Sequence, residues 1–185
     1  PMPPAATPVP AAVIPDDPVA EEGILAGLER LLAGGMNPAN PGFIGHMDPP
    51  PATFSVLGEL AAALVNNNML SLEMSPALSR LEAGLMRAFA RLFGLGPDSG
   101  GVMASGGSLA NLQALTVARN RAFGIRERGI AGFAVRPMIL ASASSHASVA
   151  KAAMILGLGT ESVVPVAADA AGRMAPDALE AVLER

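Results

Sequence analysis

The chain has 185 residues, 51% hydrophobic and only 15% charged, with net charge −4 and mean hydropathy +0.43, which excludes a wholly disordered polypeptide and suffices for a single core of ordinary domain size. It has no cysteine, which excludes a disulfide scaffold, a thiol nucleophile and cysteine-ligated metals, and fits a reducing compartment. With 16 acidic against 12 basic residues, 3% aromatics, no secretory start and no unbroken apolar run near the about 20 residues of a membrane helix, it is expected to be cytoplasmic and soluble, with no nucleic-acid or membrane partner.

Residues 1–18, PMPPAATPVPAAVIPDDP, are too rich in proline and alanine for a regular element and read as an extended arm. Ile24, Leu25, Leu28, Leu31 and Leu32 then recur at helical spacing behind Glu21 and Glu22, predicting a first amphipathic helix over 20–33. The loop 36–51 is crowded with Pro, Gly and Asn, yet it carries Phe43, Ile44, His46 and Met47, residues suited to lining a pocket. Helices are predicted over 54–70, ending near Asn66 to Asn68, and over 76–94, with Ser75 as cap, Pro76 at the first position and Gly94 as stop.

After Gly100 the pattern changes. GVMAS (101–105) reads as a short strand, SGGS (105–108) as a tight turn, and 109–123 as a helix turning Leu109, Leu112, Leu115 and Val117 to the core. A strand over 136–142, a helix over 148–159, a strand over 162–168 and a helix over 176–185 follow. Strands alternating with helices argue for an α/β fold with a parallel sheet. The chain stops at Arg185 inside a predicted helix, as a fragment would.

Two places could carry chemistry. In the turn Ser105 to Ser108, Gly106 and Gly107 let a ligand approach the main chain, helix-start amides face the crevice, and the Ser108 hydroxyl adds a donor, which makes a cup for phosphate. The plainer reading makes Ser108 an N-cap and the glycines a tight turn. The cup lacks the Lys-Ser/Thr of a Walker loop, the dinucleotide fingerprint and the hydrolase elbow. His146 follows a predicted strand at its carboxyl end, where ligands of open α/β sheets gather, and could stack on a flat ring or donate a proton. Its plainer reading is a capping or surface histidine. His46 and Asp48 make no convincing metal set, and Lys151, the only lysine, reads as a solvated helix residue.

The stretches NPGFIGHM (40–47), NNNMLSLEMSPALSRLE (66–82), SGGSLANLQALTVARN (105–120), SSHASVAKAAMILGLGTESVV (144–164) and DAAGRMAPDALE (169–180), in this order, resemble the amino-terminal part of the pyridoxal-phosphate-dependent group II amino-acid decarboxylases. The resemblance runs from about Ile24 to Arg185. It implies the amino-terminal part of a type I, aspartate-aminotransferase-like fold: an arm at 1–18, a helical segment with a substrate-side loop at 19–95, and the first part of the large cofactor-binding α/β domain at 96–185. It also implies a homodimer with active sites at the subunit interface, acting on an amino acid.

In such enzymes the turn matching Gly106, Gly107 and Ser108 holds the phosphate of pyridoxal 5'-phosphate, and the histidine matching His146 stacks on the pyridine ring and assists proton transfer. The loop matching Phe43 to Met47 reaches the substrate, with His46 near its carboxylate. Asn40 stands where many relatives carry histidine. The Schiff-base lysine and the aspartate that pairs with the pyridine nitrogen are expected beyond residue 185, while Lys151 matches a helix lysine and Asp169 a turn residue. The activity implied is amino-acid decarboxylation; another reaction of the same cofactor and fold, or a non-catalytic module, are the alternatives.

Overall fold

A computed structural model describes residues 15–45, 47, 49–132 and 135–184. Most of the proline-rich arm, together with His46 and Asp48, lies outside the described residues. The chain forms two compact units, Pro1–Asn67 and Asn68–Arg185.

In the first unit, α1 (Glu21–Gly34) starts on the acidic pair Glu21 and Glu22, and α2 (Thr53–Val65) follows the loop. Helix α2 stops at Val65, beside the asparagines predicted to end it, because Asn66 takes left-handed backbone geometry (φ 42°) and returns its N–H to Ala62. Neither helix buries a residue, and Ile24, Leu25, Leu28, Leu31 and Leu32 of α1 are each half or more exposed.

The second unit opens with α3 (Pro76–Leu92), which carries proline at its first position as predicted. Ser75 does not cap it. Its backbone (φ −144°, ψ 67°) leaves the extended geometry that aims a cap hydroxyl at first-turn amides, and its Oγ is buried with no hydrogen-bond partner. Gly94, at φ 70°, turns the chain out of the helix, and the Leu95 N–H returns to Ala90.

The strand predicted over 101–105 does not form. The Met103 N–H that a ladder would need is taken by Glu82 Oε1 of α3 at 2.9 Å, and Gly101 lies against Met86 of the same helix.

Helix α4 (Gly107–Phe123) begins two residues earlier than predicted and ends on Gly124 at φ 57°. A short α5 (Ile125–Arg128) and a 3-10 turn (Ile130–Gly132) follow, neither of them predicted. Then β1 (Ile139–Ser142), α6 (Ser148–Ile155) and β2 (Val163–Val166) make a strand–helix–strand unit, and α7 (Pro176–Leu183) closes the chain. The strands pair in parallel, Ile139 opposite Val163 through Ser142 opposite Val166, so the predicted α/β alternation is present.

The core is small. It comprises Ala141 and Val166 from the strands, Ala152, Ala153 and Leu156 along or just beyond α6, and Ala90 and Ile125. On α6 the buried positions 148, 152, 153 and 156 recur at helical spacing, and alanine there lets neighbours approach the backbone closely. Leu109 and Val117 do not face the core as predicted, and Met154 and Ile155 are also exposed. In α4 the side turned to α6 carries Asn111 and Arg119, and two residues of offset at about 100° each put Leu109 and Val117 on the opposite side.

Candidate functional site

The turn at Ser105 to Ser108 is held from one side by α3, because Glu82 fixes the main chain two residues ahead of it. Helix α4 has Gly106 as its N-cap residue and no side-chain cap; its first backbone bond is Ala110 N–H to Gly106 at 3.0 Å. Ser108 is therefore inside the helix and is not its cap. The amides of Gly107, Ser108 and Leu109 have no acceptor among the described residues, and they stand at the positive end of a 17-residue helix. A Cβ built on Gly106 or Gly107 would meet nothing within 4 Å, so the space above these amides is open.

His146 lies beyond the carboxyl end of β1, just ahead of α6. Its Nδ1 accepts the Ser148 N–H at 3.2 Å and sits 2.9 Å from Ser148 Oγ. The imidazole thus satisfies one orphan amide at the start of α6, whose own N-cap residue, Ala147, offers no side chain for the purpose. The capping role is real, but it uses only one ring nitrogen, and the residue remains exposed.

Ser148 ties this imidazole to the glycine turn. The residue is buried to 2% exposure, and its Oγ also accepts Asn111 Nδ2 from α4 at 2.8 Å. Asn111 stands about one turn into α4 from the open amides. A second contact with the same 37-residue offset, Arg119 Nη1 to the Leu156 carbonyl at 2.8 Å, aligns the two helices in parallel. Gly106, Gly107, Ser108 and His146 are thereby brought to neighbouring helix starts, beyond the carboxyl end of β1, where ligands of open α/β sheets bind.

Sequence reasoning missed Glu82, Asn111 and Ser148. The only local signal was the serine two residues after the histidine.

The remaining candidates are placed separately. Phe43 is half-buried and Met47 is 96% exposed, both in the loop of the first unit, and His46 lies outside the described residues. Asn40 organises that loop: its Oδ1 accepts the Gly42 N–H at 2.8 Å and its carbonyl accepts the Phe43 N–H at 2.9 Å. Lys151 is exposed on α6. Asp169 is a turn residue as read; the Arg173 backbone N–H and guanidinium, then the Ala171 N–H, hold its carboxyl below the ordinary carboxylate range. Among the described residues, no cluster of three or more His, Asp or Glu could hold a metal, and no helix is long and apolar enough to cross a membrane.

The chain has the fold of part of a type I pyridoxal-phosphate enzyme. Solved structures share the fold: mouse CSAD superposes with a TM-score of 0.85 at 26% identity, over 91% of this chain and 35% of that one. The glutamate decarboxylase domain of a Vibrio parahaemolyticus diaminobutyrate-pyruvate transaminase and L-2,4-diaminobutyrate decarboxylase gives 0.86 at 25% identity, over 94% and 39%.

The pyridoxal-dependent decarboxylase conserved domain matches residues 3–185, and the chain belongs to that family. A glutamate decarboxylase-like protein of Gibberella zeae is 32% identical over 92% of this chain and 33% of its own length. The L-2,4-diaminobutyrate decarboxylase of Rhizobium meliloti is 31% identical over 91% and 34%. The chain therefore spans about a third of the length of these relatives.

The residues present fit the family's cofactor. A phosphate monoester needs unpartnered donors and room, which the amides of Gly107 to Leu109 and the open faces of Gly106 and Gly107 supply. A flat ring needs an exposed aromatic neighbour of fixed orientation, which His146 supplies.

Proposed function

We propose that this chain supplies the phosphate cup, the ring-stacking imidazole and part of the substrate wall of a carboxy-lyase that decarboxylates an L-amino acid. When bound, pyridoxal 5'-phosphate supplies the electron sink that makes loss of carbon dioxide feasible. Gly106, Gly107 and Ser108 bind its phosphate through main-chain amides and the Ser108 hydroxyl. His146 lies against its ring and holds a proton at Nε2. The loop carrying Phe43, His46 and Met47 is assigned to the substrate by its resemblance to the family's substrate-side loop. The observation that carries this reading is the continuous hydrogen bonding from Asn111 through Ser148 to His146, which joins the head of α4 to the imidazole.

The working unit in this reading is a homodimer in the cytoplasm. The apolar face of α1, half or more exposed, supports a pairing role, and the cysteine-free composition supports a reducing compartment.

Titrating the intact protein with pyridoxal phosphate, with inorganic phosphate as competitor, tests the cup: saturable binding weakened by phosphate is expected, and binding indifferent to phosphate overturns it. Product analysis with amino acids tests the reaction. Carbon dioxide and an amine are expected, whereas a keto acid would make the protein an aminotransferase.

A further inference from the structure

We infer that Asn111 and Ser148 are positioning residues that lock the neutral His146 ring in the tautomer with its proton on Nε2. The role this serves rests on the reading of His146 as the cofactor-facing imidazole.

Three groups meet at two atoms. His146 Nδ1 faces both the Ser148 backbone N–H, at 3.2 Å, and Ser148 Oγ, at 2.9 Å. Ser148 Oγ in turn lies 2.8 Å from the Asn111 side-chain amide. A hydroxyl can donate or accept, and an amide can be turned over, so these two groups alone would allow either direction of donation.

The backbone N–H removes the ambiguity, because it can only donate. Nδ1 must therefore present its lone pair. The Ser148 hydroxyl, facing the same lone pair, must donate to it, and Ser148 Oγ must then accept from Asn111 Nδ2. Every donor in the chain points one way, toward Nδ1, and the proton of the neutral ring is left on Nε2.

Burial makes this arrangement hard to evade. Ser148 is 2% exposed, so water is poorly placed to replace Asn111 as the donor to its oxygen. His146 remains exposed, so its Nε2–H and ring faces are available to a ligand. Because Asn111 stands on the same helix as the glycine cup, the element that holds a phosphate also sets the imidazole's proton.

The test is made on the intact protein labelled with 15N-histidine and free of pyridoxal phosphate, so its outcome does not depend on cofactor binding. The His146 signals are identified by their loss in His146→Gln. At a pH where the ring is neutral, the expected spectrum shows unprotonated Nδ1 and protonated Nε2; a proton on Nδ1, or the mixture shown by free imidazole, overturns the inference.

Asn111→Asp replaces the amide donor by a carboxylate that accepts the Ser148 hydroxyl's hydrogen bond, turning the hydroxyl away from Nδ1 and leaving the backbone N–H as the only donor to its lone pair. The Nδ1–H fraction is expected to rise severalfold. Ser148→Ala should move Nδ1 toward the position of a nitrogen without a hydroxyl donor. Both nitrogens unmoved in both variants would overturn the positioning role of the two side chains and leave the tautomer to the Ser148 backbone N–H alone. If either variant fails to fold, the unmodified protein still decides. A locked tautomer in a protein that does not bind pyridoxal phosphate would overturn the proposed function alone.

Discussion

Arg119 reaches from α4 to α6, where its Nη1 donates to the Leu156 carbonyl at 2.8 Å. The cation sits at the carboxyl cap of α6, the negative end of that helix, and its Nε and Nη2 also engage Asn120 Oδ1. Together with Asn111 and Ser148, this contact pins the two parallel helices at both ends.

Replacing Arg119 by alanine is expected to cost about 1–2 kcal/mol, the usual size of a charge-assisted hydrogen bond to a helix end. Urea denaturation followed by circular dichroism reads the change. Unaltered stability would mean that the Arg119 contact does not help hold the helix pair.

At Gly106 the backbone is extended (φ 170°), a geometry any residue adopts, and a Cβ there meets nothing within 4 Å. Gly106→Ala is therefore expected to leave the thermal midpoint almost unchanged while weakening pyridoxal phosphate binding, because the added methyl occupies the space assigned to the phosphate. Equal binding by both proteins would remove the phosphate from this position.

His146→Gln removes the proton carried at Nε2 while retaining a polar side chain. In the intact protein the decarboxylation rate is expected to fall about 10²-fold or more, the range for a positioned acid or base, with pyridoxal phosphate still bound. Carbon dioxide release and cofactor absorbance, measured on the same sample, check the two halves separately.

The carboxyl of Asp169 lies below the ordinary carboxylate range when folded, chiefly through the Arg173 N–H and guanidinium. The unfolded chain then takes up this proton more readily. Its contribution to stability is full above the ordinary carboxylate value and is lost as pH falls through the lowered one. The Ala171 and Arg173 amide resonances should report that loss on acidification, along with opening of the Ala168–Met174 bridge. Asp169→Asn should abolish the acid response at both amides.

Gly157 turns the chain at the end of α6 with φ 72°, and a Cβ there would come within 2.6 Å of Ile130 Cδ1. Gly157→Ala is expected to destabilise by about 1–2 kcal/mol, the cost of left-handed backbone for an L residue. Adding Ile130→Ala should not restore stability, since it removes the clash but leaves the backbone strain. Full recovery in the double variant would assign the cost to the clash.

Much of this molecule was legible one segment at a time. Pro76 at a helix start, Gly94 at a helix end, and the α/β alternation after Gly100 depend on backbone preferences acting within a few residues. The glycine turn and the histidine beyond a strand were legible for the same reason.

Tertiary structure alone decided the rest. The main chain at Met103 has an ordinary strand sequence, but its amide is claimed by a carboxylate 21 residues earlier. Leu109 and Val117 are as apolar as Leu112 and Leu115, yet Asn111 and Arg119 determine which side of α4 meets α6. The proton of His146 depends on a serine two residues away and an asparagine on another helix. Local sequence sets which conformations a segment can adopt; which hydrogen-bonding groups then meet is decided by the packing of elements far apart in the chain.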